Sequence, residues 1–158
     1  MTGPSVVRVQ TALRERGIPS DVVELAASTR TAQEAAAALG CQVAQIVKSL
    51  VFRASPSDRA VLVLASGANR VDEAALGKLL GESIGRADPA FVRDRTGFAI
   101  GGVAPTGHLE PLPTFLDEDL FRCDDLWAAA GTPHTVFHIT PAQLAALTAG
   151  TVANIALR

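Results

Sequence analysis

The run Ile46-Val47-Lys48-Ser49-Leu50-Val51-Phe52-Arg53 and the apolar run 60–66 are separated only by Ala-Ser-Pro-Ser-Asp-Arg, and this pair constrains the fold more than any other stretch. Both runs are rich in β-branched and apolar residues, and the residues between them carry turn chemistry, so an antiparallel hairpin is predicted. Alternation puts Lys48 on one strand face with Leu50 and Phe52. A lysine rarely enters such a run, because its charge is costly to desolvate. Its presence calls for an anionic partner, a substrate or a lowered pKa.

Helix signals surround the hairpin. Val6, Val9 and Leu13 recur at helical spacing within 6–16, and Gly17 and Pro19 supply the stop. After a short strand at 22–25, Thr31-Ala32-Gln33-Glu34 reads as a capping box for a helix through Leu39, closed by Gly40. Asp72 caps a helix to Leu80 closed by Gly81, and Asp88-Pro89 opens another toward Arg95. Further on, 98–100 and 114–116 are expected to pair as strands. A second hairpin joins 126–130 to 135–139 across Gly131-Thr132-Pro133, although 126–130 also admits a helix. Thr140-Pro141 starts a helix through Thr148, and 152–157 reads as a closing strand. Helices and strands mix without regular βαβ alternation or internal repeat, which predicts a mixed α/β (α+β) fold.

The 158 residues fit one domain, 1–158, long enough to bury roughly 68–70% of the unfolded chain's surface. Fourteen basic against sixteen acidic side chains give a net charge of −2, which excludes a protein that grips long stretches of nucleic acid. Any nucleic acid contact is therefore small. The first residues lack a signal-peptide core, and the longest apolar run, 60–65, is too short to span a bilayer, so a cytoplasmic protein without membrane contact is expected. Cys41 and Cys123 lack metal-ligand spacing and read as reduced thiols; a nucleophilic Cys123 would need a nearby histidine.

Chemistry concentrates in the glycine-dense segment 96–108, with Gly97, Gly101, Gly102, Pro105 and Gly107. The glycines serve either as turns that need positive φ or as a rigid loop whose amides face a carbonyl oxygen that turns negative during acyl transfer. Neither phosphate-cradling spacing, Gly-x-x-x-x-Gly-Lys-Ser/Thr nor Gly-x-Gly-x-x-Gly, is present. His108 is placed to contact substrate, act as a base or tie the loop to the body. His134 and His138 lack a third ligand, so no metal and no cofactor is expected. Asp117 follows an apolar run and is expected at the rim of the same cleft, whereas 118–125 reads as a solvated acidic turn and 66–70 as a turn with Arg70 available to a phosphate.

The segments Gln45-Ile-Val-Lys-Ser-Leu-Val-Phe52, Thr96-Gly-Phe-Ala-Ile-Gly-Gly-Val-Ala-Pro-Thr-Gly-His108 and Ala130-Gly-Thr-Pro133 resemble the YbaK/ProX family, freestanding relatives of the bacterial prolyl-tRNA synthetase editing domain. The likeness runs from about Thr31 to the C-terminus, with the motifs in family order. It implies a central, largely antiparallel, barrel-like sheet flanked by helices. It also implies a trans-editing deacylase that hydrolyses the ester of a mischarged tRNA, tRNA-Pro carrying alanine or cysteine, met at its acceptor end, and it admits an aminoacyl-tRNA synthetase as a partner.

On that resemblance Lys48, Gly101 and Gly102 are the expected catalytic residues. Val103, Pro105, Gly107 and His108 are expected to bind substrate, as are Thr31, Ser66, Phe98 and Asp117. Some members place a tyrosine near the pocket, whereas this chain has none and carries Phe98 at the loop's aromatic position. The rival reading is a non-catalytic module that binds tRNA ends or a synthetase; a third is hydrolysis of another small acyl ester.

Overall fold

In the computed structural model, which describes residues 3–158, the chain runs through α1 (Pro4–Glu15), β1 (Val23–Glu24), α2 (Ala32–Leu39), β2 (Ile46–Ser55), β3 (Ala60–Ser66) and α3 (Glu73–Leu80). It continues through β4 (Ser83–Arg86), α4 (Pro89–Thr96), β5 (Thr114–Asp117), β6 (Leu126–Ala129), β7 (Thr135–Ile139), α5 (Pro141–Thr148) and β8 (Thr151–Ala153). The helix boundaries follow local chemistry. Thr31 accepts from the Glu34 N–H while the Glu34 carboxylate accepts from the Thr31 N–H, and Thr140 and Gln143 repeat this box at α5; Asp72 and Asp88 cap α3 and α4 with their carboxylates alone. Gly40, Gly81 and Gly97 end α2, α3 and α4 in the left-handed region, where a side chain would be strained.

The sheet is mixed, with strand order β1-β7-β6-β2-β3-β5-β8 and β4 paired to β2 off that path. The hairpins β2/β3 and β6/β7 are antiparallel, as are β1/β7 and β2/β4; β2/β6, β3/β5 and β5/β8 are parallel. Strand β3 is buried along its whole length because it has a partner on each edge and a core on each face. Its alternation separates the two cores. Leu62 and Leu64 join Val9 and Leu13 of α1, Phe91 of α4 and Leu144 of α5, whereas Val61, Val63 and Ala65 join Leu76 of α3.

Strand β2 is treated differently at its outer edge. Ile46 and Val47 pair with β6, and the stretch from Phe52 to Ser55 pairs with β4. Between these contacts, residues 48–51 have no strand partner on that edge among the described residues. The sheet therefore carries a gap beside Lys48, bounded by the ends of two short strands.

Two expectations need correction. Residues 98–100 form no strand: Phe98 turns into the core, Ile100 starts a turn, and β5 instead pairs with β3 and β8. The closing strand is shorter than 152–157, because the chain leaves the sheet after Ala153 and returns only as the bridge between Val71 and Ala156. No helix among the described residues is long and apolar enough to cross a membrane.

Because the Thr31 hydroxyl and the Glu34 carboxylate satisfy each other's main-chain donors, Thr31→Ala should lower unfolding stability by about 1 kcal/mol, read as a fall in urea midpoint at constant m. An unchanged midpoint would remove the cap from the account.

Candidate functional site

The gap in β2 opens into a cavity of about 670 Å³. Its walls come from residues 46–52 of β2, the loop before α2 (Thr29, Arg30, Thr31), Gly67, Glu73 at the start of α3, Arg86 at the end of β4 and Ala87 after it, Val92 of α4, Ala129 of β6 and the loop residues Ile100, Gly101 and Val103. Among the expected residues, Lys48, Gly101, Val103 and Thr31 thus share one opening. Much of the remaining wall is apolar.

Lys48 is half-buried, and its ammonium donates to the main-chain carbonyl of Asn69. The Asn69 amide is itself held between two carboxylates, donating to Asp117 at 2.9 Å and to Asp119 at 2.8 Å. Asp117 is 1% exposed and accepts further bonds from the N–H groups of Ser66 (3.1 Å) and Asp119 (2.9 Å). Burial pushes the Lys48 ammonium below the usual lysine range, Asp117 pulls it back up, and Arg70 pushes it further down. The bond from Asn69 is the main influence that holds Asp119 below its ordinary range.

The loop glycines divide their work. Gly101 has φ +93°, and its amide has no hydrogen-bond acceptor among the described residues. A Cβ there would lie 2.9 Å from Cγ of Arg30, so the arginine stem lies against the loop. The Gly102 amide, one of the two alternatives expected to hold a carbonyl oxygen, donates instead to the Ala99 carbonyl at 3.0 Å. Its lack of a side chain lets the loop approach the main chain of Thr132, which a Cβ would meet at 2.9–3.0 Å.

The remaining expected residues are not brought into this cavity. Phe98 is 1% exposed and packs edge-on against His108 in the core. Ser66 is buried with its hydroxyl donating to the Ala44 carbonyl, and Asp117 lies beneath the cavity, not at its rim. Pro105, Gly107 and His108 line a separate groove along α1. There the His108 Nε2 pairs with the Ala104 carbonyl at 2.8 Å, and burial holds its imidazole below the usual histidine range. Thr31 faces the cavity, yet its hydroxyl is occupied by the helix cap.

Four contributors escape a reading of the sequence. Arg8 on α1 straps the glycine segment, donating from its guanidinium to the carbonyls of Gly107 (3.0 Å) and Gly97 (2.6 Å), and stacks 4.8 Å over the Phe98 ring. Its partners lie 99 and 89 residues away, so no local pattern announces it. Arg30 and Arg86 line the cavity with no ion-pair partner among the described residues. The Ser49 hydroxyl is buried without a hydrogen-bond partner, a state that costs about 1–3 kcal/mol. No group of three or more metal-ligating side chains is found among the described residues.

A small mixed α/β fold thus holds a lysine and a glycine-loop amide in one cleft. A family model described as the aminoacyl-tRNA editing domain matches residues 26–147, and the chain belongs to that family. It is 30% identical over 140 residues to the uncharacterised protein YwhH of Bacillus subtilis (strain 168), covering 89% of this chain and 88% of that one. A crystal structure described as a candidate trans-editing enzyme for prolyl tRNA synthetase superposes with a TM-score of 0.93 at 51% identity, covering 100% of both chains. A scaffold used for computational grafting of epitope backbones superposes with a TM-score of 0.91 at 49% identity over 99% of each chain.

The chain contains only two lysines, Lys48 and Lys78, so Lys78→Arg leaves a single ε-methylene signal to follow by NMR. The Lys48 titration should fall below that of a free lysine side chain, and Asp117→Asn should move it to still lower pH by removing the charge that favours the ammonium. A shift to higher pH, or none in a folded variant, would contradict this electrostatic assignment.

Proposed function

We propose that this protein hydrolyses the ester linking a wrongly attached amino acid to the 3′ end of tRNA, acting in trans for prolyl-tRNA synthesis in the cytoplasm. The observation that carries the reading is the shared opening: the Lys48 ammonium and the unpaired Gly101 amide line one cavity large enough for an aminoacylated terminal nucleoside. Membership of the editing-domain family supports the reaction class, and the 51% identical structure supports the link to prolyl-tRNA.

An aminoacyl ester is already activated, so positioning and charge stabilisation suffice without a nucleophilic triad. Water adds to the ester carbonyl, the Gly101 N–H donates to the oxygen as it becomes negative, and the ribose oxygen leaves. Lys48 holds the ribose or polarises the reacting group, kept in place by Asn69. Arg30 and Arg86, each without an ion-pair partner among the described residues, meet backbone phosphates of the acceptor end. A net charge of −2 fits an enzyme that touches only that end. The apolar wall receives the amino-acid side chain, alanine or cysteine, and Val103 forms part of it.

The test is release of amino acid from a panel of mischarged tRNAs, including tRNA-Pro carrying alanine or cysteine. Hydrolysis should fall about 10²–10³-fold in Lys48→Ala, the range for loss of one group that stabilises transition-state charge. No hydrolysis across the panel, or full activity in that variant, would overturn the proposal; tRNA binding without turnover would favour a binding module.

Salt dependence checks the two arginines. Arg30→Ala and Arg86→Ala should each flatten the slope of log kcat/KM against log salt by about 0.7–0.9, the value of one phosphate contact. Unchanged slopes would remove them from the interface.

A further inference from the structure

The gap in the sheet leaves more than space. The Gly67 N–H donates to the Ile46 carbonyl at 2.7 Å, so the even-numbered residues of β2 turn their main-chain groups toward β3. The Leu62 N–H, opposite Val51, turns away from β2 to the Pro113 carbonyl, which is the same phase read from the other strand. The odd-numbered residues of β2 therefore turn their N–H and C=O groups outward. Val47 and Arg53 meet β6 and β4 there, but Ser49 and Val51 between them have no strand opposite among the described residues.

Ser49 also lines the cavity and carries the buried hydroxyl that has no partner. Its main-chain donor and acceptor thus edge the cavity, while its hydroxyl lies closed off beside them. Unpaired groups of this kind are uncommon in a folded interior, and they mark a place that a ligand completes.

We infer that Ser49 is the recognition point for the aminoacyl group itself, its main-chain carbonyl accepting from a free α-ammonium and its N–H donating to the adjoining acyl oxygen. This rests on the deacylase reading and names the substrate feature that reading leaves open, an unblocked α-amine. A cationic donor next to an acceptor carbonyl matches the set that Ser49 offers. Alternation supplies the separation of charge: the Ser49 side chain leaves the strand on the face opposite Lys48, whose ammonium is turned to Asn69. The substrate ammonium is taken up away from that cation. The inference assigns no role to the hydroxyl as a nucleophile.

The probes are three non-hydrolysable nucleosides: 3′-(L-alanylamino)-3′-deoxyadenosine, its N-acetyl derivative, and the 3′-propanoylamino analogue that lacks the amine. Calorimetry should show the free-amine compound binding at least about 10²-fold more tightly than either of the others, since neither of those brings a cationic donor to the Ser49 carbonyl. Ser49→Ala should keep the preference for the free-amine compound, because the groups that meet it are main-chain. Its thermal midpoint should not fall, because an unpaired buried hydroxyl is removed; a purely structural serine would show the opposite.

Equal binding of the three compounds, binding of none, or loss of the amine preference in Ser49→Ala overturns the assignment. Amine-dependent binding with no mischarged tRNA hydrolysed would leave the assignment standing and remove the deacylase reading. Hydrolysis with amine-independent binding would do the reverse.

Discussion

Strand β2 is ten residues long, and its outer edge is shared by two neighbours too short to cover it. Everything proposed for this protein depends on that mismatch. An unpaired stretch of central strand is costly to leave in a folded interior, because its main-chain groups lose water without gaining partners. Here the stretch opens into a cavity, so solvent or substrate can take the place of the missing strand. The inner edge is continuously paired to β3, whose complete burial makes the position of the gap rigid.

Rigidity matters because the proposed chemistry asks for few reactive groups. Lys48 is held by a chain that runs from its ammonium to the Asn69 carbonyl, and from the Asn69 amide to the carboxylates of Asp117 and Asp119. A buried carboxylate beneath a half-buried amine offsets part of the desolvation that disfavours the ammonium. Across the cavity, Gly101 supplies a main-chain donor from a conformation that a side chain would strain. Arg8 ties the loop that carries it to α1, so the two walls are anchored to different parts of the fold.

Much of this was legible in the chain, and the parts that were not share a cause. Capping boxes, left-handed glycine ends and both hairpins depend on neighbours within a few residues, and Thr31, Gly40, Asp72 and Asp88 stand where their chemistry places them. The parallel pairings β2/β6, β3/β5 and β5/β8 join distant segments and leave no local signature. Strand β4 is Ser-Ile-Gly-Arg, too polar and short to announce itself, and without it the gap cannot be foreseen. The glycine segment was readable as a carbonyl-facing loop or as turns: Gly101 lines the cavity, while Gly97 and Gly107 adopt positive φ in the tight path beside α1. Phe98 looked like a loop aromatic, but a large apolar ring next to a packed helix gains more from the core.

The most direct test of the account is where an aminoacylated nucleoside sits. On addition of 3′-(L-alanylamino)-3′-deoxyadenosine to ¹⁵N-labelled protein, the account predicts that the largest amide shifts fall at Ser49, Val51 and Gly101, around the gap in β2. Shifts confined to residues 105–109 along α1, or an unperturbed Ser49 and Gly101 at saturation, would contradict it.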